Sequence, residues 1–322
     1  MNAQTLQVVV RRREQQGGNI VVLDLASADG SDLPPFEAGA HVDVHLSPDL
    51  IRQYSLCGDP ARTSHYRLGV LRDPASRGGS DAVHERLHEG ARIAIGLPRN
   101  HFPLNAGATH SVLVGGGIGI TPMLAMAYSL LAAGQPFELH YCARSRAAGA
   151  FLQELAQAPL APHVRLHFND EGEAARLQLD AVLRGGAHAL GGTHVYVCGP
   201  VGFMDHVTGS AQRAGLPAAQ VHREYFGAEV DTAGAGFEVV AAASGKSVHV
   251  AEGQTILAAL ASIGIKVEVS CEEGVCGTCV CTVLEGDCDH RDVYLTDDER
   301  ADNDQIMVCC SRAKSSRLVL DV

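Results

Sequence analysis

Short runs of alternating apolar and polar residues follow one another through the first hundred positions of the chain. A period of two is typical of strands with one buried face, and turn-forming residues separate the runs at short intervals. One helical segment, 81–88, interrupts them and ends before Gly90. The pattern predicts an antiparallel β-barrel over residues 1–104. The predicted strands occupy residues 6–14, 19–27, 41–47, 52–58, 66–73 and 91–98.

The pattern changes after residue 104, where apolar runs begin to alternate with helical segments. Such alternation is typical of βαβ units, and it predicts an α/β domain with a parallel sheet over residues 105–228. Segment 229–236 is rich in Gly and Ala, lacks periodicity and is interpreted as a linker to a small third domain, 237–322. The predicted strands of the α/β domain are 111–116, 137–143, 164–169 and 193–199, and its helices are 121–134, 148–157, 179–185 and 201–215.

Length and charge narrow the classes of function. The chain has 322 residues, and its 37 acidic and 25 basic residues give a formal net charge of −12. Because this charge repels nucleic acids and anionic membranes, neither is an expected partner. The uncharged stretch 111–137 is long enough to cross a membrane, but the glycines at 115–117 and the Thr121-Pro122 pair would break its helix. The N-terminus lacks the pattern of a signal peptide, which predicts a cytoplasmic protein.

Cysteines concentrate near the C-terminus, where seven of the ten lie between residues 271 and 310. Structural disulfides are rare in cytosolic proteins, so this density indicates metal binding or redox chemistry. Cys271, Cys276 and Cys279 form the pattern C-x4-C-x2-C, and Cys309 follows far downstream. This is the plant-type spacing for a [2Fe–2S] cluster, in which four thiolates surround two irons.

A redox dithiol and a structural zinc site are two other interpretations of these cysteines. The segment from Cys276 to Cys279 alone resembles a thioredoxin-type dithiol, but that motif opens a helix after a strand and does not need Cys271. A structural zinc site would require a second pair of closely spaced ligands, and the adjacent Cys309 and Cys310 are a poor pair. The [2Fe–2S] interpretation therefore explains the spacing best.

The choice of Cys309 over Cys310 as the fourth ligand follows from alternation along an extended segment. If residues 305–311 form a strand, Cys310 lies on the same face as the branched Ile306 and Val308, while Cys309 lies on the other. We therefore expect Cys310 to pack in the core and Cys309 to reach the cluster.

Two glycine-containing turns indicate a dinucleotide site. Gly115–Gly119 follows a predicted strand, and Thr121 is the expected N-cap of a helix with Pro122 in its first turn. The segment Cys198-Gly199-Pro200 also ends a strand and opens a helix. A glycine turn alone can simply allow close packing, but two such turns at strand ends mark the ligand crevice of a parallel sheet. The candidate residues are Gly116, Gly117, Gly119, Thr121, Arg144, Cys198, Gly199 and Pro200.

In the barrel, alternation places Arg52 and Tyr54 on one strand face, where a guanidinium and an aromatic ring suit a flat heterocycle and its phosphate. The same sequence pattern would arise from a surface Arg beside a half-buried Tyr that binds no ligand. The segment 77–80 (RGGS) precedes the helix 81–88 and forms a possible anion nest. Residues 84–88 match the zinc-protease pattern H-E-x-x-H, which we interpret as coincidence because no third ligand follows at a recognisable spacing.

Taken together, the motifs resemble those of the phthalate dioxygenase reductase and vanillate demethylase reductase family over the whole chain. The matching segments are RQYS at 52–55, RGGS at 77–80, PRNHFPL at 98–104, GGGIGITPM at 115–123, YCARS at 141–145, CGP at 198–200, EYFGA at 224–228 and the cysteine set at 271–309. The order of barrel, α/β domain and C-terminal ferredoxin (β-grasp) domain also matches. A departure is Cys310, where many members of the family have an apolar residue.

The resemblance implies that FMN binds between the first two domains and that NADH is the electron donor. It implies that Arg52 and Ser80 hold the FMN phosphate. Ser80 belongs to the flavin-binding segment Arg77, Gly78, Gly79 and Ser80. Tyr54 and Ser55 would contact the isoalloxazine, and Phe226 would cover the ring where nicotinamide docks. The helix after RGGS, which can meet a terminal phosphate, also favours FMN over FAD. Arg144 and Arg146 leave the donor open, since they suit either a 2′-phosphate or the diphosphate and ribose of NADH.

Redox stoichiometry orders these cofactors. A nicotinamide gives up two electrons as hydride, whereas a [2Fe–2S] cluster accepts one, so a flavin that exchanges either number must stand between them. The expected function is a reductase that passes electrons from NADH through FMN and [2Fe–2S] to a terminal oxygenase, with no residue acting as general acid or base. A carrier module without turnover would need no nucleotide site, and a flavohaem oxygenase would need a haem pocket. The acidic Glu272, Glu273, Asp287 and Asp289 suggest docking to an electropositive partner surface, although a solvated acidic surface explains them equally well.

Overall fold

The first seven strands pair antiparallel in one sheet whose ends are joined, which confirms the predicted barrel. In this computed structural model the described residues are 5–74, 76–185, 190–227 and 230–322. The strand order is β4-β3-β6-β1-β2-β5, with β7 paired to β3. A bridge between Leu56 and Leu68 closes the gap between β4 and β5. These strands are Thr5–Gln16 (β1), Ile20–Ser27 (β2), Ala40–Ser47 (β3), Leu50–Ser55 (β4), Tyr66–Leu71 (β5), Arg92–Gly96 (β6) and Arg99–Asn100 (β7), and the helix Gly79–Arg86 (α1) follows β5.

Five parallel strands form the second sheet, in the order β10-β9-β8-β11-β12. The chain runs outward from β8 to β9 and β10, and then returns to the other side of β8 with β11 and β12. The strand order therefore reverses between β8 and β11, and in such sheets ligands bind at the carboxyl ends of the strands at this point. The strands are His110–Gly116 (β8), Phe137–Ala143 (β9), Val164–Phe168 (β10), Thr193–Cys198 (β11) and Val221–Glu224 (β12); the helices are Ile120–Ala132 (α2), Leu152–Leu155 (α3), Leu179–Gly185 (α4) and Val201–Arg213 (α5).

Barrel and parallel sheet belong to one compact unit, Met1–Glu224. The backbone N–H of Asn105 donates to the Tyr196 hydroxyl over 2.7 Å, and Arg67 of the barrel pairs with Glu154 of α3 at 2.8 Å. The backbone N–H of Phe151 donates to the Gln16 side chain, also over 2.7 Å. Because these contacts join the two sheets by half-buried polar groups, the two predicted domains are held in a fixed relation to each other.

The second unit, Tyr225–Val322, holds a five-stranded mixed sheet and a two-stranded one. The first helix of the unit begins after Thr255, whose hydroxyl accepts from the Ala258 amide, as a helix cap does. The predicted reciprocal contact between Thr296 and Glu299 is confirmed. The strand order is β14-β13-β19-β15-β17. The elements are Phe237–Ala241 (β13), Lys246–Val250 (β14), Ile256–Ser262 (α6), Val280–Glu285 (β15), Cys288–Asp289 (β16), Asp297–Asp302 (α7), Gln305–Met307 (β17), Arg312–Ala313 (β18) and Arg317–Leu320 (β19).

Most of the segment predicted to be a linker is bound to this second unit. Arg291 donates to the carbonyls of Asp231 and Ala233, each over 2.7 Å, and the buried Arg312 donates to that of Ala235 over 3.0 Å. Residues 228 and 229 lie outside the described residues, so the predicted boundary between them has no structural account. Residues 231–235 are therefore attached to the second unit although their side chains are small, because their backbone carbonyls accept the hydrogen bonds.

The uncharged stretch noted in the sequence folds as strand β8, a glycine turn and helix α2. All but four of the thirteen residues of α2 are buried. Over the described ranges, no helix combines the length and the apolar character that crossing a membrane requires.

Candidate functional site

The segment predicted to bind a phosphate lies at the start of α1. Gly78 adopts φ +85°, a left-handed conformation that favours glycine, and the helix then begins without a side-chain cap. Arg52 lies directly against the next residue, since a Cβ on Gly79 would stand 2.5 Å from its Cγ. The Arg52 guanidinium also donates to the carbonyl of Arg77 over 3.2 Å. The fold thus brings a cation from β4 to uncapped amides at a helix N-terminus, an arrangement that suits a phosphate.

Ser80 takes part in the same turn through its hydroxyl oxygen, which accepts from the backbone N–H of Asp73 over 3.1 Å. The hydroxyl proton therefore stays available to donate to an anion. Arg72, at the outer side of the helix, is paired with Asp81 at 2.8 Å and with Glu85 at 2.7 Å. Arg52 and Ser80 are thus the side chains placed to meet a phosphate at this turn.

Alternation along β4 places Arg52 and Tyr54 on one face, as the sequence predicted. They pair across the strands with Val44 and Val42, which are both fully buried. Burial raises the pKa of the Tyr54 hydroxyl, so this side chain is a neutral ring with a polar edge. Such a face suits a flat aromatic ligand whose phosphate lies toward Arg52.

The glycine turn after β8 is dictated by packing. A Cβ on Gly119 would lie 2.2 Å from the carbonyl oxygen of Cys198, and one on Gly116 would lie 2.7 Å from the ring of Phe203. Gly117 has φ +57° and nothing within 4 Å of its Cβ position, so its backbone is open to a ligand. The turn is therefore required both for close strand–helix packing and for an accessible backbone.

Thr121 does not cap the following helix, which corrects the prediction. Helix α2 begins at Ile120 with Gly119 at its N-cap, and the Thr121 hydroxyl donates to the carbonyl of Ile118 over 3.0 Å. Thr121 is buried within the first turn. The prediction failed because the glycine turn continues directly into helical geometry, which puts the N-cap two residues earlier than the Thr-Pro pair suggested.

The second turn lies beside the first. Cys198 pairs with Gly115 across β11 and β8, and a Cβ on Gly199 would lie 3.0 Å from Gly116 Cα. Pro200 stands at the N-cap of α5. The two predicted turns therefore meet at the reversal of strand order, which is the crevice where a parallel sheet binds a dinucleotide.

Glu224 is a site residue that the sequence analysis did not single out. It ends β12 beside Cys198, and the buried Ser55 hydroxyl donates to its Oε2 over 3.4 Å. Burial raises the pKa of the Glu224 carboxyl to about 8. Burial and the neighbouring Glu224 raise the pKa of the Cys198 thiol well above its usual range. The sequence signal for Glu224 was weak. This residue is the first of the EYFGA segment and the last of a strand of only four residues, which is too short to be recognised from its pattern.

Arg144 and Arg146 lie at the carboxyl end of β9 with different surroundings. Arg144 is exposed, and its carbonyl accepts from the Asp170 amide over 3.2 Å. Arg146 is bound to Glu171 at 2.6 Å, and its guanidinium lies 4.6 Å from the centre of the Phe168 ring. The carboxylate of Glu171 would repel a 2′-phosphate placed beside Arg146, which makes this position a poor receptor for one.

The four predicted cluster cysteines are buried and approach one another in two pairs. The Cys271 and Cys276 thiols contact each other, and this contact lowers the pKa of Cys276 to about 5. The Cys279 and Cys309 thiols form the second pair, which raises the pKa of Cys279. In the part of the chain that the structure describes, no three metal-binding side chains surround a single point. The donors are nonetheless the thiols that a [2Fe–2S] cluster requires.

The loop that carries these thiols points backbone amides at them. The Glu273 amide donates to the Cys271 sulfur over 3.3 Å. Gly274 and Gly277 have φ of +71° and +76°, and a Cβ on either would come within 2.5 Å of a neighbouring side chain. Buried sulfurs with amide donors are suited to thiolates, so the residues present fit a plant-type cluster.

The alternation argument for Cys309 and Cys310 does not hold, because the strand ends at Met307. The Ser311 amide donates to the Met307 carbonyl over 3.0 Å and closes a turn. Both cysteines are buried, and the Cys310 sulfur packs against Gly274. Cys309 stays the candidate ligand because it contacts the Cys279 thiol and accepts from the Gly274 amide.

Two other sequence features find simple places. Phe226 belongs to the second unit and is 42% exposed. In the H-E-x-x-H segment, a ring nitrogen of His84 contacts the Val70 carbonyl at 3.0 Å, and one of His88 contacts the Glu85 carbonyl at 2.9 Å. Backbone carbonyls therefore hold both rings.

Two known protein families and several known reductases resemble this chain. The profile described as "2Fe-2S iron-sulfur cluster binding domain" matches residues 240–314, and "Dimethylamine monooxygenase subunit DmmA-like, N-terminal domain" matches residues 92–221. The vanillate O-demethylase oxidoreductase of Pseudomonas sp. (strain HR199 / DSM 7063) is 50% identical over 98% of this chain and 100% of its own length.

Solved structures of similar fold cover nearly the whole chain. Phthalate dioxygenase reductase, described as a modular structure for electron transfer from pyridine nucleotides to [2Fe–2S], is 37% identical, with a TM-score of 0.75 over 99% of this chain and 98% of that one. An intact type IV self-sufficient cytochrome P450 monooxygenase is 40% identical, with a TM-score of 0.85 over 99% of this chain and 41% of its own.

Proposed function

This chain belongs to the phthalate dioxygenase reductase and vanillate O-demethylase oxidoreductase family of electron-transfer oxidoreductases that serve multicomponent oxygenases, and we propose that it takes electrons from NADH through FMN to a [2Fe–2S] cluster. From the cluster the electrons would pass to a Rieske-type terminal oxygenase or demethylase that acts on an aromatic or related compound. When bound, the flavin would accept a hydride and release single electrons, which the cluster would pass on.

The flavin is assigned to the barrel face of β4. Arg52 and Ser80 would hold its phosphate at the start of α1, and Tyr54 would lie along the ring. The turn Arg77 to Ser80 offers amides for one terminal phosphate, which favours FMN over FAD. Exposed Phe226 is assigned to cover the ring before nicotinamide arrives, on the strength of the family resemblance alone.

The nucleotide is assigned to the crevice between β8 and β11. Gly117 would present its backbone to the diphosphate, together with the turn at Gly199 and Pro200. Nicotinamide would lie at the end where Glu224 and Cys198 adjoin Ser55, because the flavin strand meets the sheet there. The pairing of Arg146 with Glu171 favours NADH as donor.

The observation that carries this proposal is the contact between Ser55 and Glu224. It joins the barrel strand that carries the flavin-site motif to the last strand of the nucleotide sheet, within one compact unit. Hydride transfer needs the two reacting atoms within about 3.5 Å of each other, and a fixed junction between the two sheets supports such an approach.

We assign the cluster to four thiols, those of Cys271, Cys276, Cys279 and Cys309. The oxygenase is expected to make a transient contact with the second unit. Exposed Glu272 and Asp287 favour an electropositive partner surface. No disulfide forms among the ten cysteines, all of which the structure describes. Reduced thiols suit the cytoplasm, which is the location we propose.

Anaerobic titration tests the assignment. NADH added to reconstituted protein is expected to bleach the flavin absorbance first and the cluster absorbance afterwards, and a dye acceptor should restore both. Transfer to the purified oxygenase is expected to slow as ionic strength rises. A protein that binds the cluster but is not reduced by NADH would be a carrier module, and the proposal would be wrong.

A further inference from the structure

A chain of hydrogen-bonding groups crosses one face of the parallel sheet, outside the crevice. A His167 ring nitrogen, Nδ1, contacts the Ala175 carbonyl at 3.0 Å, and its Nε2 contacts His140 Nδ1 at 3.0 Å. His140 Nε2 then contacts Glu138 Oε2 at 3.2 Å. His110 contacts the other carboxylate oxygen at 3.4 Å. The chain therefore runs from β8 through β9 and β10 to the turn that contains Ala175.

The hydrogen bonds that link Ala175, His167, His140 and Glu138 need one more proton than two neutral imidazole rings carry. The three contacts between the Ala175 carbonyl and Glu138 each need one proton, and both end groups only accept while Glu138 is ionised. Two neutral imidazoles carry two protons between them. Burial alone would raise the pKa of Glu138, but hydrogen bonds from His110 and His140 outweigh it and hold the pKa well below its usual range. Because histidine nitrogens face both carboxylate oxygens, at 3.2 and 3.4 Å, Glu138 is the acceptor on both sides and the third proton belongs to the ring pair.

The surroundings place this proton on His140. His140 is 2% exposed and adjoins Glu138, so a charge on its ring is paired with a carboxylate. Burial and the neighbouring His140 lower the pKa of His167, which favours its neutral form. His167 then donates from Nδ1 to Ala175 and accepts at Nε2 from His140. Other titratable or charged groups beside the chain are His110 on β8, Cys142 on the same face of β9, Arg165 on β10, whose guanidinium donates to the Val164 carbonyl, and Glu173 in the turn with Ala175.

The turn held by His167 borders the nucleotide crevice. Within residues 169–176, the Asp170 amide donates to the Arg144 carbonyl, and Glu171 binds Arg146. Ser55 and Glu224 mark the nicotinamide end of the crevice at the β12 side. Because strands lie about 4.8 Å apart, a dinucleotide extending away from that end passes over the ends of β9 and β10. Its adenosine half would therefore meet Arg144 and this turn.

We propose that His140 and His167 share three ring protons, the additional one on His140, and act as positioning residues that hold residues 169–176 against the adenosine half of NADH. Losing the third proton breaks one link of the chain, so the turn loosens and NADH binds less tightly at higher pH. The step at the flavin is untouched. This inference rests on the proposed function only for its effect on NADH.

Nitrogen-15 NMR of the histidine rings in the holoprotein tests the proton count directly and without turnover. At pH 7 we expect one ring protonated at both nitrogens and coupled to a second ring protonated only at Nδ1. Two rings with a single proton each would overturn the proposal. This result does not depend on whether NADH is the donor, so it separates this inference from the proposed function.

Kinetics test the positioning role. In the unchanged protein, KM for NADH should rise roughly five- to tenfold as the third proton is lost, about the value of one hydrogen bond. His167→Phe should have the high KM at every pH with unchanged kcat, and His167→Gln, which can still donate to Ala175, should restore most of the affinity. A KM for His167→Phe that follows the original pH profile would contradict the proposal.

A second histidine pair supplies the matched control. His194 Nδ1 and His222 Nε2 lie 2.8 Å apart on the opposite face of the sheet. Their contact needs only one proton, which two neutral rings supply. His194→Phe is expected to keep the original rise of KM with pH, and loss of that rise would count against assigning it to His140 and His167.

Discussion

The Ser55 hydroxyl donates to the carboxyl group of Glu224 over 3.4 Å, although 169 residues separate them in the chain. Ser55 ends the barrel strand β4, and Glu224 ends the sheet strand β12. One contact thus aligns the face assigned to the flavin with the crevice assigned to the nucleotide. It also buries a carboxyl group, which makes the junction sensitive to pH.

Glu224 is expected to make stability depend on pH. Its folded pKa of about 8 lies above the ordinary value of 4.5, so the folded state binds the proton more tightly than the unfolded state does. Stability should therefore be greatest below about pH 4.5 as far as this group is concerned, and should fall as pH rises toward 8. Glu224→Gln should remove this decline in thermal midpoint between pH 5 and 8. An equally steep decline in the variant would show that other groups cause it.

Arg52 is expected to decide flavin affinity. Arg52→Ala should weaken FMN binding about 10- to 100-fold, since a charge-assisted hydrogen bond contributes about 1.5–3 kcal/mol. Fluorescence of released flavin measures the affinity, and chromatography of the heat-released flavin should show FMN. Arg72→Ala, which removes an exposed arginine bound to the outer side of the same helix, should leave the affinity within about twofold. Recovery of FAD would refute the assignment.

Gly119→Ala is expected to damage the nucleotide crevice. The new Cβ would lie 2.2 Å from the Cys198 carbonyl oxygen, so the two turns must separate. We expect a loss of about 1–3 kcal/mol in urea denaturation and a large increase in KM for NADH. Gly202→Ala in α5 meets nothing within 4 Å and should instead stabilise the protein by up to about 1 kcal/mol. Similar behaviour of the two variants would show that the close approach is not required.

Glu171 is expected to limit the use of NADPH. Glu171→Gln removes the carboxylate bound to Arg146, which would then be able to pair with a 2′-phosphate. The unchanged protein should prefer NADH, and the variant should gain several-fold in kcat/KM with NADPH. If the original protein already used NADPH more efficiently, the preference argued from this ion pair would be wrong.

The two adjacent cysteines are expected to differ on substitution. Cys309→Ser should lose the normal visible spectrum of the cluster, while NADH still bleaches the flavin, because the residues assigned to the flavin and the nucleotide lie in the first unit, Phe226 excepted. Cys310→Ser should keep the spectrum and the transfer of electrons to the partner. The opposite pair of results would identify Cys310 as the ligand.

Local patterns in the sequence determined the fold class and most of the candidate site. Alternation with a period of two predicted the barrel, and four apolar runs between helices predicted the parallel sheet, because these periods follow from backbone geometry. The spacing of Cys271, Cys276 and Cys279 indicated the cluster because three ligands on one loop must be close in sequence to converge. The capping contact of Thr296 with Glu299 was predictable for the same reason.

Only the tertiary structure decided the contacts between distant segments. The sequence did not indicate Glu224, because its role comes from Ser55 on another sheet. It also missed the attachment of residues 231–235 to Arg291 and Arg312, since the partners are backbone carbonyls that every residue has. The strand predicted over residues 305–311 ends at Met307, where a turn interrupts the alternation. Periodicity reports which side of an element is buried, whereas the partner across the core depends on how the chain folds back on itself.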